Sequence, residues 1–117
     1  MTGKIKEALE EFLQIEGVTS ASIVARDGFV IESANRDQLE TDALGAVIAG
    51  ALSSSEKIGR DLSMGKLEHH LLEFDSGKVM IATIKNDVLV LTTEPSAVIG
   101  SVRYAVRKSI SNLTELL

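Results

Sequence analysis

The sequence contains no cysteine and no tryptophan, only one proline, and 3% aromatic residues in a chain of 117. Without cysteine, neither a disulfide framework nor a thiolate metal site can form. This usage is compatible with a reducing compartment, so we expect a cytoplasmic location. The small number of aromatic residues also disfavours an enclosed small-molecule pocket, since such pockets are lined largely by apolar and aromatic side chains.

Positive charge is scarce as well, because 12 lysines and arginines stand against 17 acidic residues, for a net charge of −5. A duplex nucleic-acid binder needs a basic surface, and an anionic membrane attracts basic segments, so neither partner is expected. The longest uncharged stretch, Ala43 to Ser55, is shorter than the ~20 residues of a membrane span. The charged N-terminal segment does not have the pattern of a signal peptide.

Three segments have apolar residues at helical spacing, within a length that suits one domain over residues 1–117. The first predicted helix begins near Thr2, which can cap it, and stops at Gly17. The second covers Glu40 to Arg60, and the third follows Ser96, which can act as its cap.

Five runs of small and β-branched residues predict strands, and most are joined by short turns. Asp27-Gly28 is predicted as a type I′ hairpin turn, and residues 35–38 as a polar loop. The order is helix, two strands, helix, three strands, helix, which predicts an α+β fold with an antiparallel sheet between helices on both faces. The predicted strands are Val18–Ala25, Phe29–Ser33, Lys66–Phe74, Lys78–Lys85 and Val88–Thr92.

No chemical motif is complete. Gly45 to Gly50 has the glycine spacing of a phosphate loop but lacks the lysine and hydroxyl residue that must follow. His69 and His70 are adjacent on a predicted strand, so they point to opposite faces and cannot both bind one metal ion. No serine lies in a nucleophile-elbow motif. We therefore predict no catalytic residues, no metal site and no cofactor.

Two clusters of charged residues have a structural explanation that does not require a catalytic role. Asp37, Glu40 and Asp42 lie at the predicted start of the middle helix, where the helix dipole favours negative charge. The last helix has a basic side that is either a solvated face or a contact for an acidic partner. Its residues are Arg103, Arg107 and Lys108.

The middle helix has no charged residue between Asp42 and Glu56. On a helical wheel one half is predicted to lie on the sheet, and it consists of Ala43, Leu44, Val47, Ile48, Ala51, Leu52 and Ile58, with Ser54 and Ser55 among them. Interior glycine costs ~1 kcal/mol relative to alanine, which suggests that another backbone approaches closely. The opposite half is predicted to be exposed and to bind a partner, the alternative being a plain surface. It consists of Asp42, Gly45, Ala46, Ala49, Ser53, Glu56 and Arg60.

The strand after this helix need not pair with the first hairpin. If it lies at the edge of the sheet, its unpaired amides and carbonyls can accept a second strand. Two copies could then pair antiparallel about a two-fold axis and bring their middle helices together. The residues predicted along this dimer strand are Leu67, His69, Leu71 and Glu73.

In this order of elements the chain resembles the Roadblock/LC7 family over nearly its whole length. The matching features are Gly17-Val18, Ser22 to Ile31, the small-residue helix from Ala43, the strands Leu67 to Phe74, Lys78 to Ile84 and Asp87 to Leu91, and Ile99 to Arg103. The resemblance implies a five-stranded antiparallel sheet with the first and last helices on one face and the middle helix on the other. It also implies homodimers formed through the third strand and the middle helix.

Members of this family are non-catalytic adaptors, and prokaryotic members include partners of Ras-like GTPases such as the activator of a gliding-motility GTPase. The resemblance therefore implies a homodimeric adaptor that binds a small Ras-like GTPase and modulates its GTP hydrolysis. Arg60 is a candidate for an arginine supplied to that GTPase. The alternatives are a small-molecule-sensing module, a scaffold subunit without a GTPase partner, and a small enzyme.

Overall fold

The computed structural model describes residues 2–36 and 40–117, with only the backbone of Thr2. Asp37 and the end of the predicted polar loop lie outside this range. The helices are α1 (Thr2–Phe12), α2 (Thr41–Asp61) and α3 (Ile99–Leu116). The strands are β1 (Val18–Ala25), β2 (Val30–Asn35), β3 (His69–Phe74), β4 (Gly77–Ile84) and β5 (Asp87–Thr93).

The five strands form one antiparallel sheet in the order β2-β1-β5-β4-β3. The long connection from β2 through α2 carries the chain across the sheet, so β3 enters at the far side. It pairs only with β4 among the described strands, from His69 opposite Ala82 to Phe74 opposite Gly77. This strand therefore lies at the edge of the sheet, which is the condition stated above for pairing with a second strand.

Alternating side chains of the strands bury two separate cores, because successive residues of a strand point to opposite faces. On one face, α1 and α3 contribute Leu9, Phe12, Val102 and Leu113 to a core that also contains Ile23, Met80, Ala82, Ile84, Leu89 and Leu91. On the other face, Ile48 and Leu52 of α2 pack on Val24, Ile81, Val88 and Val90. The predicted α+β fold and the distribution of its helices are confirmed.

The turn at Asp27-Gly28 is not type I′ as predicted, because only Gly28 has a positive φ, of 98°. The Gly28 amide donates to the Ala25 carbonyl at 2.9 Å, and the Ala25 amide donates to the Phe29 carbonyl at 2.8 Å. This is a type I turn followed by a glycine bulge. Asp27 does not have a positive φ, and its side chain accepts the Phe29 amide at 3.1 Å.

Two predicted helix ends are also wrong. The first helix ends at Phe12 rather than at Gly17, and the next amides, from Leu13 to Ile15, donate to carbonyls three residues earlier. Gly17, with φ of 92°, instead turns the chain into β1. The last helix begins at Ile99 with Val98 at its N-cap and no side-chain cap, so Ser96 does not cap it.

Candidate partner-binding surface

Gly45 lies against the turn of the β1–β2 hairpin. A Cβ atom at this position would lie 1.9 Å from the Gly28 carbonyl oxygen, so no other residue fits without a shift. The prediction that Gly45 is exposed is wrong, because the backbone that approaches it closely belongs to this chain's own hairpin. Ala49, one turn further along, is half-buried beside Gly28 for the same reason.

An ion pair holds the same side of α2 on the hairpin. Nη1 of Arg26 donates to both carboxylate oxygens of Glu56 at 2.6 Å. The prediction that Glu56 is exposed is wrong, because its side chain is half-buried and already has a partner within the chain. Because both side chains keep part of their solvent contact, the pair contributes less than about 1 kcal/mol and mainly orients the two elements.

The opposite side of α2 contacts the edge strand. Ser55 is buried, and its Oγ lies 2.6 Å from Nδ1 of His70. His69 lies on the other face of β3, bordering a depression together with Val106 and Arg107 of α3. The two histidines point apart as predicted. Within the described part of the chain, no three metal-ligating side chains come together.

A row of small and apolar residues on α2 is uncovered. Val47 is 65% exposed and Ile58 is 58% exposed, and Ala43 and Ser54 are exposed as well, so their predicted contact with the sheet is wrong. At 100° per residue, Val47 and Ile58 lie about 60–80° around the helix from Ser55, whose side chain contacts β3, and on the side away from Gly45. We call this surface the apolar stripe; its members, all exposed, are Ala43, Val47, Gly50, Ser54 and Ile58. A continuous apolar surface of this kind marks an interaction site more often than scattered apolar residues do.

The other exposed side of α2 keeps most of the predicted partner-binding residues. We call it the polar flank; its members are Asp42, Ala46, Ser53 and Arg60, all exposed. Asp42 also borders an open depression of about 630 Å³ that includes Phe29 at the hairpin. Arg60 borders a second depression, with Glu56 and Leu67, near the end of the helix.

The predicted dimer strand is shorter than expected, because it begins at His69 rather than at Lys66. Leu67 precedes it and packs against the core under α2, while Leu71 packs against the core under α1 and α3. His69 and Glu73 are exposed. On the α2 face of the strand Phe74 is 61% exposed.

On the basic side of α3, Arg103 is half-buried, and its buried Nε has no hydrogen-bond partner among the described residues. Arg107 and Lys108 are exposed, and Nζ of Lys108 lies 5.9 Å from the centre of the Tyr104 ring, in a cation–π contact. Whether these residues meet an acidic partner stays a prediction.

No helix in the described ranges is long and apolar enough to cross a membrane.

One sheet between a single helix and a helix pair, with an open edge strand beside an exposed helix face, defines a three-layer α+β domain. The model of the Roadblock/LC7 domain matches residues 4–93. The chain therefore belongs to the Roadblock/LC7 family.

The comparisons with known proteins give relatives in sequence and similar solved structures. Two uncharacterized proteins of Methanocaldococcus jannaschii are each 25% identical over 109 residues, covering 93% of this chain and 96% of each relative. Among solved structures, Myxococcus xanthus MglB superimposes with a TM-score of 0.89 at 18% identity, covering 97% of this chain and 94% of that one. The gliding protein MglB from Thermus thermophilus gives a TM-score of 0.84 at 20% identity, with 93% and 84% covered. These likenesses establish a common fold.

Proposed function

We propose that this protein is a homodimeric adaptor that binds a small Ras-like GTPase and modulates its GTP hydrolysis. The observation that carries the proposal is the apolar stripe of α2, which lies beside the open edge of β3 and is uncovered by the described residues. Membership of the Roadblock/LC7 family and the likeness to two MglB structures support the same function.

The dimer would bury the apolar stripe and pair the two β3 strands. An edge strand carries unpaired amides and carbonyls that another strand can satisfy. A two-fold axis beside β3 brings the same surface of each copy together, as a self-complementary interface requires. Val47 and Ile58, which contribute little to the core of one copy, would gain burial in this arrangement.

The polar flank would remain exposed in that dimer and would bind the GTPase. It lies on the side of α2 away from β3, next to the hairpin. Its small central residues, Ala46 and Ser53, allow another protein to approach the helix closely. In this proposal Gly45, Ala49 and Glu56 contact the β1–β2 hairpin and hold α2 in place, and they do not contact the partner directly.

A binding experiment with purified proteins tests the proposal. The Ras-like GTPases encoded in the same genome are loaded with a non-hydrolysable GTP analogue, and their affinity for this protein is measured by calorimetry. Ser53→Arg should weaken binding at least about tenfold, because an interfacial clash and an unpaired charge each cost more than about 1.4 kcal/mol. Ser111→Arg, on the exposed surface of α3, is the matched control and should bind as wild type does.

Three results would contradict the proposal or part of it. If Ser53→Arg binds the GTPase as tightly as wild type does, the polar flank is not the GTPase-binding surface. A stable dimer that binds none of these GTPases would favour a scaffold without a GTPase partner. A monomer at micromolar concentration in light scattering would exclude the homodimer.

A substitution of Arg60 distinguishes an effect on GTP hydrolysis from an effect on binding. If its guanidinium reaches the nucleotide of the GTPase, Arg60→Ala should lower the stimulated rate of GTP hydrolysis at least about a hundredfold while the affinity changes little. Single-turnover hydrolysis at saturating adaptor measures this. An unchanged rate would mean that Arg60 only contributes contact surface.

A further inference from the structure

We propose that the two β3 strands pair in one particular register, with Leu71 directly opposite Leu71 of the partner subunit. This register places His69 opposite the partner's Glu73 twice, once on each side of the two-fold axis. The inference rests on the proposed homodimer and specifies its interface.

The pairing of β3 with β4 shows which backbone groups of β3 are free. The Thr83 amide donates to the Glu68 carbonyl at 3.0 Å, and the register runs without a shift from His69 opposite Ala82 to the end of the strand. In an antiparallel ladder the groups of alternate residues point to alternate sides. The groups of His70, Leu72 and Phe74 therefore point to β4, whereas those of His69, Leu71 and Glu73 point to the open edge.

A two-fold axis perpendicular to the sheet permits few registers. Opposite residues in an antiparallel pair share one face of the sheet, so the strand can centre on His70, Leu71 or Leu72. Centred on Leu71, all three residues with outward groups oppose one another. Centred on His70, Glu73 is opposed by the partner's Leu67, and centred on Leu72, His69 is opposed by the partner's Asp75; both opposing residues lie outside the strand.

Charge favours the same register. His69 and Glu73 are exposed, and neither has an ion-pair partner among the described residues. Lys66, Glu68 and Arg107 border the same depression as His69, so its surroundings carry a net positive charge that attracts a carboxylate. Centred on Leu72, Glu73 would oppose Leu71 of the partner subunit. Centred on His70, it would oppose the partner's Leu67.

Disulfide formation measures the register directly, since the natural chain has no cysteine. Leu71→Cys, His70→Cys and Leu72→Cys are oxidised under the same mild conditions. Opposite residues in hydrogen-bonded pairs have Cα atoms about 5.5 Å apart, within the range of a disulfide. Leu71→Cys should form the covalent dimer fastest, by at least about tenfold. Faster cross-linking of His70→Cys or Leu72→Cys would overturn this register while leaving the proposed dimer intact.

A charge exchange tests the same pairing without a new covalent bond. His69→Glu would place two carboxylates opposite each other on both sides of the axis and should raise the dimer dissociation constant about tenfold. Adding Glu73→Lys should restore the dissociation constant to within about threefold of wild type. Within one copy these residues lie about 13 Å apart along the strand, so rescue reports a contact between copies.

The outcomes separate the two proposals. If every variant still forms a dimer, but adding Glu73→Lys to His69→Glu does not restore the dissociation constant, only the register is contradicted. Absence of a dimer in the wild-type protein, measured by sedimentation equilibrium across micromolar concentrations, contradicts the homodimer itself.

Discussion

At the scale of single residues, the two glycines of the middle helix have different roles. Gly45 is required by the fold, because a Cβ atom there would collide with the Gly28 carbonyl. A Cβ atom at Gly50 would meet nothing within 4 Å, so the helix of one copy does not need glycine at that position. Gly50 is part of the apolar stripe, where a flat surface permits another helix to pack closely.

These roles predict opposite effects of one substitution. Gly45→Ala should lower the free energy of unfolding by about 1–3 kcal/mol through overpacking. Gly50→Ala should raise the stability of the monomer by about 0.5–1 kcal/mol, because alanine is the better helix former. Urea denaturation at one low protein concentration compares them. Equal effects of the two substitutions would contradict the close contact at Gly28.

At the scale of elements, the edge strand has one occupied and one open side. Its hydrogen bonds to β4 hold it in the fold, and the outward groups of its other residues are available to a second strand. The two sides can be distinguished by proline, which removes an amide donor. Leu71 and Leu72 are both half-buried leucines, so they form a matched pair for this test.

Leu72→Pro should lower the free energy of unfolding of the monomer at least about 1 kcal/mol more than Leu71→Pro does, because it removes a hydrogen bond to β4. Leu71→Pro should instead impair dimer formation, since it removes an outward amide. Urea denaturation and light scattering provide the two measurements. A greater loss of monomer stability with Leu71→Pro would contradict the assigned alternation.

At the scale of the whole molecule, the chain buries two cores and still leaves large apolar side chains of α2 uncovered. Val47, Ile58 and Leu62 are all more than half exposed on that helix or at its end. A domain of this size has little apolar surface in reserve. Placing part of it outside both cores is consistent with a stability that depends on association.

The proposed homodimer predicts that the thermal midpoint of the wild-type protein rises with protein concentration, as mass action requires for a dimer. Val47→Asp should remove the concentration dependence and leave the midpoint of the dilute protein within a few degrees of wild type, because Val47 contributes little to the core. Scanning calorimetry over a hundredfold range of concentration measures this. A wild-type midpoint that does not vary with concentration would contradict association through this surface.

Much of the fold could be predicted from local patterns. The helical stripe from Ile5 to Phe12 and the alternation of Met80, Ala82 and Ile84 both point to the core they occupy, because periodicity directly reflects which face is buried. The same patterns assign Leu71 and Glu73 to the edge strand on which they lie. The turn at Asp27-Gly28 was predicted wrongly, because the same two residues also fit a turn in which only the glycine has a positive φ.

The sequence by itself determined the order of elements, the antiparallel sheet and its two-sided cores, because these follow from periodicity, turn residues and apolar content along the chain. Only the tertiary structure decided how α2 is rotated on the sheet. That rotation depends on the contact of Gly45 with Gly28 and on the Arg26–Glu56 ion pair, both between residues far apart in sequence. A helical wheel assigns the largest apolar residues to the core. Here Val47 and Ile58 are turned outward, because small residues allow the helix to approach its own hairpin on the other side.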